Sequence, residues 1–122
     1  YSKEGQGLAR VSPKQLLEAS LRLRPDRILL AELRGEEAYH YLRNVNSGHP
    51  GSITSVHASS AALAFEQLTL LVKESPAGRE LTRNDIRALL DQLVDVVVQC
   101  GVEGQRRFVT EIYWKDGHAA AR

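Results

Sequence analysis

The sequence predicts an α/β fold in which helices cover both faces of a mainly parallel sheet and an antiparallel hairpin closes the chain. Two short runs, Ile28–Ala31 and Ser52–Val56, are apolar or β-branched, and a segment with helical spacing follows each. Such runs are typical of strands buried on both faces, so we expect two adjacent parallel strands. Two later runs, Val94–Cys100 and Arg107–Trp114, flank a turn at 101–105 and predict the hairpin.

Four helices are predicted from capping residues and from the spacing of apolar side chains. Ser12 and Gln15 form a capping box, so a helix should run from Pro13 to about Leu23. A second capping box begins at Thr82. The apolar faces of the last three helices are Ala38, Tyr41, Leu42 and Val45, then Ala61, Ala64, Phe65, Leu68, Leu71 and Val72, and finally Ile86, Leu89, Leu90 and Leu93.

Length and composition fit one compact domain, residues 1–122, with an irregular start at 1–11 and a disordered tail at 116–122. Sixteen basic and fifteen acidic residues leave a net charge of +1, which argues against strong nucleic-acid binding. A single cysteine, Cys100, excludes an internal disulfide and a cysteine-built zinc site. No apolar run approaches the roughly 20 residues that cross a bilayer. Tyr1–Gly7 has no apolar core of the signal-peptide type, and together with the single cysteine this favours a cytoplasmic location.

The segment Arg27–Gly35 places a carboxylate, Glu32, directly after an apolar strand. Open α/β sheets bind ligands at the carboxyl ends of their strands. A carboxylate there is costly unless it faces a cleft, is paired, or lies near a metal. One interpretation makes Glu32 a water-orienting base or a magnesium-shell residue of a nucleotide site. The alternative is a surface ion pair between Glu32 and Arg34.

The segment Ser47–Ala58 carries two histidines around the second predicted strand. His49 and His57 lie eight residues apart, at opposite ends of that strand, so local geometry does not let them bind one metal. His57 is placed to donate a hydrogen bond to a phosphate oxygen or to Glu32. The alternative is a histidine satisfied by nearby backbone groups. No further ligands stand at metal-binding spacing, so no metal site built by the protein alone is expected.

Together the two segments resemble consecutive signature motifs of the traffic ATPases of type IV secretion and conjugation. Ser20–Gly35 resembles the segment that carries their degenerate Walker B strand, and Ser47–Ala58 resembles their histidine box. Glu36–Tyr39 and Phe65–Leu68 also match the family pattern. The resemblance covers roughly Ser12–Trp114, and the form SGHPGSITSVHA of the box points to the type IV branch.

This resemblance implies a partial RecA-like domain, a hexameric ring, and hydrolysis of ATP with Mg²⁺ at subunit boundaries. The chain would be the C-terminal half of a motor that drives pilus assembly or substrate export. Its implied location is cytoplasmic and peripheral to the inner membrane, with other secretion-machine subunits as partners. By the same match, the candidate catalytic residues are Glu32 as base and His57 as γ-phosphate sensor. The candidate cofactor-binding residues are Arg34 and His49.

The sequence departs from the family pattern in having no G-x-x-x-x-G-K-[ST] phosphate-binding loop. In the family that loop lies upstream, and because the chain begins at Tyr1 without a methionine we expect a piece of a longer protein. We therefore expect this chain alone to be inactive and to bind ATP weakly. The rival hypothesis is a non-catalytic assembly module of the secretion machine. In either case an apolar face normally covered by upstream strands should be exposed.

Overall fold

Residues 11–116 are described by a computed structural model. The predicted irregular segment at 1–11 and the predicted disordered tail at 116–122 lie outside these residues except for Val11 and Asp116. Helices occupy the first part of the chain, and a two-stranded antiparallel sheet follows them. The elements are α1 (Pro13–Leu21), α2 (Glu37–Asn46), α3 (Ala61–Glu74), a 3-10 helix (Pro76–Gly78), α4 (Arg83–Leu93), β1 (Val96–Glu103) and β2 (Arg106–Trp114).

The four predicted helices are all present, and both capping boxes are confirmed. The Ser12 hydroxyl accepts from the Gln15 amide, and the Thr82 hydroxyl accepts from the Asp85 amide. α1 ends two residues earlier than expected. Arg24, just beyond it, has a left-handed φ of 51°, which a right-handed helix does not pass through. None of the helices in residues 11–116 has the length and apolar character that a membrane span requires.

The two predicted parallel strands are extended segments that run parallel but do not form a regular sheet. One parallel bridge joins Leu29 to Ile53. The Leu30 amide donates to the Ile53 carbonyl at 3.1 Å, and the Ile53 amide donates to the Ile28 carbonyl at 3.2 Å. Within residues 11–116 no other strand pairs with either segment, so the ladder stays short. A mainly parallel sheet is therefore not formed by the described residues, although the two segments are adjacent and parallel.

The predicted C-terminal hairpin is confirmed, and it forms the regular sheet of residues 11–116. A two-residue turn joins β1 to β2, with Gly104 at a φ of 59° that suits a tight hairpin turn. β1 continues to Glu103, past Gly101, where the turn was expected to begin. An irregularity of register lies between Gln99 and Cys100. The hairpin is therefore longer than the sequence pattern indicated.

One apolar core holds the helices together. The ring of Phe65 on α3 is fully buried in it, and Tyr113 of β2 packs against this ring edge-on at 5.2 Å between ring centroids. The Arg87 guanidinium covers the same ring at 4.5 Å from its centroid. These contacts attach the hairpin and α4 to α3. The core cluster comprises Leu17, Ile28, Leu33, Ala38, Tyr41, Leu42, Phe65, Leu68, Leu71, Val72, Ile86 and Leu90.

The strands have an apolar side that the described helices do not cover. Leu29 and Ile53, paired across the parallel bridge, are 70% and 66% exposed. On the hairpin, Val98 and Ile112 are cross-strand partners, and both are exposed. The alternate residue Val97 instead packs against the helical core, as strand periodicity requires. The prediction of helices on both faces is therefore not met within residues 11–116, whereas the predicted exposed apolar face is present.

Two leucines next to each other on α3 test this assignment of the core. Leu71 is 3% exposed and Leu70 is 47% exposed. Leu71→Ala should lower the free energy of unfolding by about 2–5 kcal/mol, because it leaves a cavity in the core. Leu70→Ala should change it by less than about 1 kcal/mol. Urea denaturation of the two variants measures both values, and equal losses would contradict the assignment.

Candidate functional site

Glu32 lies at the centre of a small polar cluster that also contains Arg34 and His57. One carboxylate oxygen, Oε2, is 2.5 Å from an Arg34 guanidinium nitrogen. The other, Oε1, is 2.8 Å from His57 Nε2. The Glu32 side chain is 20% exposed, whereas those of Arg34 and His57 are 53% and 90% exposed. The carboxylate is therefore largely covered, and its two partners face solvent.

The pairing of the two extended segments brings these side chains together. The Leu33 amide donates to the Ser55 carbonyl at 2.9 Å, and the Ser55 hydroxyl donates to the Ala31 carbonyl at 2.6 Å. Because the segments run parallel, their carboxyl ends lie side by side, with Glu32 within this contact and His57 two residues beyond Ser55. Glu32 and His57 therefore meet although 25 positions separate them in sequence.

The turn that follows Glu32 is fixed by a buried carboxylate, Glu37, at the start of α2. Glu37 Oε1 accepts from the Arg34 amide at 2.6 Å and from the Gly35 amide at 3.0 Å. Its residue is only 5% exposed, so these bonds offset the cost of burying the charge. No function was predicted for Glu37 from the sequence. The available signal was an acid at a helix start, three residues after Arg34.

His49 lies away from this cluster, at the other end of the second extended segment. Its Nδ1 is 2.9 Å from the Pro25 carbonyl oxygen. Its own carbonyl accepts from the Ser52 hydroxyl at 2.7 Å, and that hydroxyl accepts from the Ile28 amide at 2.9 Å. These contacts tie the start of one segment to the start of the other. The structure thus brings Glu32, Arg34 and His57 together and leaves His49 apart, so a cofactor-binding role for His49 stays a prediction.

Arg34 dominates the electrostatics of the site. Its hydrogen bond to Glu32 lowers the pKa of that carboxyl below the ordinary value of 4.5, partial burial opposes this, and the charges of Arg34 and His57 add to the lowering. Glu32 is therefore ionised at neutral pH. Its Oε1 atom is shielded from solvent and lies 2.8 Å from His57 Nε2. A carboxylate oxygen accepts hydrogen bonds through its lone pairs, so Oε1 can accept from a water molecule only where that water displaces the His57 ring.

Two cavities border the extended segments. A groove of about 430 Å³ lies between α1 and residues 27–34, with Glu32 and Arg34 in its wall. A cleft of about 740 Å³ lies between residues 50–56 and residues 93–99. Both are lined mainly by apolar side chains. Among the residues that the structure describes, no group of three His, Cys, Asp or Glu side chains is arranged to hold a metal ion.

Comparison with known proteins identifies the class of this chain as that of secretion system proteins. The sequence matches the Type II/IV secretion system protein family over residues 6–119, nearly its whole length, and the chain belongs to that family.

Relatives from type IV secretion systems are close in sequence. The chain is 65% identical over 115 residues to the type IV secretion system protein VirB11 of Bartonella quintana, which covers 93% of this chain and 32% of that protein. It is 45% identical over 113 residues to the protein VirB11 of Agrobacterium fabrum, which covers 93% of this chain and 33% of the relative. The chain therefore spans about a third of the length of these relatives, less than the half expected from the sequence.

A solved structure has the same arrangement of elements. It is the VirB11 ATPase from the Brucella suis type IV secretion system in complex with sulphate, with a TM-score of 0.83 and 46% sequence identity. The superposition covers 87% of this chain and 32% of that ATPase. The family resemblance inferred from the Glu32 and His57 segments is thereby confirmed.

The lowered pKa of Glu32 yields a test of the cluster. A carboxyl whose pKa is depressed by folding contributes stability above its ordinary pKa of 4.5, and this contribution is lost as the pH falls through the depressed value. Arg34→Gln should move the pKa of Glu32 back towards 4.5, and His57→Gln should cause a smaller rise. Carbon-13 NMR titration of the glutamate carboxyls measures this pKa. Arg83→Gln is the control, because Arg83 pairs with Glu66. An equal shift in that variant would show that the effect is not local.

Proposed function

We propose that this chain is the C-terminal part of the ATPase motor of a type IV secretion or conjugation system, which powers pilus assembly or substrate export. The observation that supports this most is the cluster of Glu32, Arg34 and His57 at the common end of two parallel segments. Family membership and similarity to a VirB11 ATPase supply the context.

In this proposal Glu32 is the catalytic base. When bound, ATP with Mg²⁺ supplies the phosphoryl group that is transferred to water. Glu32 is ionised at neutral pH, and its Oε1 faces the exposed His57 ring. A water that takes the place of this ring beside Oε1 can be oriented by the carboxylate and give its proton to it. Arg34 holds the other carboxylate oxygen and fixes the orientation of the group.

His57 is the proposed γ-phosphate sensor. Its side chain is 90% exposed, and its Nε2 lies beside the carboxylate that would orient the water. A ring N–H at this position can donate to a phosphate oxygen and also hold Glu32. Arg34, half exposed beside it, supplies positive charge for the same phosphate. These groups fit the side of an ATP site that faces the terminal phosphate.

The groups that would cradle the rest of the nucleotide are not in this sequence. No phosphate-binding loop is present in residues 1–122, so the backbone donors and the lysine that supply most phosphate affinity must come from elsewhere. We therefore propose that the chain alone does not turn over ATP. The hexameric ring, the partner subunits and the location at the inner membrane belong to the whole motor and are part of the same proposal.

The exposed apolar face favours a second function, assembly without catalysis. Leu29, Ile53, Val98 and Ile112 leave uncovered apolar area on the strands. Such area in a family whose members are about three times longer is suited to contact the remainder of the motor. An assembly role and a catalytic role predict different effects of changing Glu32.

The substitution Glu32→Gln in the full-length motor separates these two functions. It preserves size while removing the charge that activates water, so turnover should fall on the order of 10²-fold or more, with nucleotide affinity nearly unchanged. ATPase rate, nucleotide affinity and melting temperature are measured on the same purified protein. The isolated 122-residue chain, assayed in parallel, should show no turnover above background.

Glu66→Gln is the matched control, because Glu66 also pairs with an arginine nitrogen at 2.5 Å but lies on α3, outside the cluster. It should leave turnover within about twofold of the parent, as expected for a surface ion pair. Near-normal turnover of the Glu32 variant would remove Glu32 from the mechanism and favour the assembly role.

A further inference from the structure

The hairpin contacts the backbone just after His57 through two polar side chains. Gln99 Nε2 on β1 donates to the Ala58 carbonyl at 2.9 Å. Glu111 Oε2 on β2 accepts from the Ala61 amide at 3.0 Å. Gln99 and Glu111 are direct cross-strand partners, so they form one pair on the helix-facing side of the hairpin. Both bonds end on residues 58–61, the turn that joins His57 to α3.

These two hydrogen bonds satisfy the Ala58 carbonyl and the Ala61 amide, which have no partner within the turn. Ala61 is the first residue of α3, where amides have no partner within the helix. The N-cap hydroxyl of Ser60 serves the Leu63 amide at 3.1 Å and leaves the Ala61 amide to Glu111. A carboxylate is also the charge that a helix N-terminus favours. The hairpin therefore completes the cap of α3 from a distance of 50 residues in the chain.

The position of His57 depends on this turn because its side chain has little packing of its own. It is 90% exposed, and its Nε2 contacts Glu32 Oε1 at 2.8 Å. On the preceding side, the backbone is held by the bond between the Leu33 amide and the Ser55 carbonyl. After His57, the backbone is held by the hydrogen bond that the Gln99 side chain donates to the Ala58 carbonyl.

We propose that Gln99 and Glu111 are positioning residues that hold the 58–61 turn, and through it His57, beside Glu32. This inference rests on the proposed role of His57 in sensing phosphate. It assigns the hairpin a role beyond packing, because a displacement of the strands would move the turn and separate His57 from the carboxylate. Tyr113 supplies the packing contact of the same hairpin face through Phe65, so the polar pair can be removed while that contact remains.

The test compares Gln99→Ala, Glu111→Ala and Glu111→Gln, with Glu103→Gln as control. Glu103 is a carboxylate near the tip of the same hairpin and is exposed. In the 122-residue chain, hydrogen exchange at the Ala61 amide should rise about tenfold or more in Glu111→Ala. Glu111→Gln keeps an acceptor and should restore part of the protection. The amides of α4 should exchange as in the parent.

The contact between His57 and Glu32 is followed separately by the NMR titration of Glu32. Because His57 helps to lower the pKa of this carboxyl, its departure should raise that pKa in Gln99→Ala and Glu111→Ala but not in Glu103→Gln. A merely structural role would lower the melting temperature and leave the pKa where it was. An unchanged pKa together with faster exchange at Ala61 would overturn the positioning role. If Glu111→Ala fails to fold, Gln99→Ala decides the question through the other bond.

Turnover of the full-length motor distinguishes failure of this inference from failure of the proposed function. Both Ala variants should lower kcat about tenfold with KM little changed, since binding of the nucleotide relies on other groups. Loss of activity in His57→Ala with full activity in both positioning variants would overturn the inference alone. Full activity in His57→Ala would overturn the sensor role, and with it the functional part of the inference.

Discussion

The pairing of two short extended segments is the constraint on which the site depends. Three backbone hydrogen bonds and the Ser55 hydroxyl hold residues 28–33 against residues 52–55. The parallel direction of the pair decides that Glu32 and His57 emerge at one end and His49 at the other. Within the described residues, neither segment has a hydrogen-bonded strand on its outer edge. The packing of their side chains against the helices therefore contributes much of the stability of this pair. Ile28 and Leu33 are the side chains of residues 28–33 that are buried in the core cluster.

The helices could be predicted from the sequence because their signals are local. The capping boxes at Ser12 and Thr82 and the 3.6-residue spacing of apolar side chains lie within single elements. The parallel sheet depends on more than local signals. A buried strand such as Ile28–Ala31 needs neighbouring strands on both edges and apolar layers on both faces, and its own residues do not show whether these are present. Within residues 11–116 it has one neighbour and one covered face.

The same distinction applies to the site. Glu32 and His57 could be identified because each follows an apolar run at a recognisable position and the two segments resemble family motifs. Glu37 acts through backbone amides two and three residues away, a geometry that a turn creates and that a sequence pattern does not specify. Gln99 and Glu111 reach the turn after His57 from 41 and 50 residues away. Contacts over such separations follow from the packing of the hairpin on α3, which the order of residues alone does not reveal.

The most direct measurement is a structure of the full-length motor with a transition-state analogue of phosphoryl transfer and Mg²⁺. If Glu32 is the catalytic base, its Oε1 lies within about 2.6–3.2 Å of the oxygen in the attacking position. If His57 is the sensor, its Nε2 lies at hydrogen-bond distance from an oxygen of the γ-phosphate analogue. A structure in which the analogue binds tightly while Glu32 remains paired only with Arg34, far from the attacking oxygen, would contradict the catalytic role.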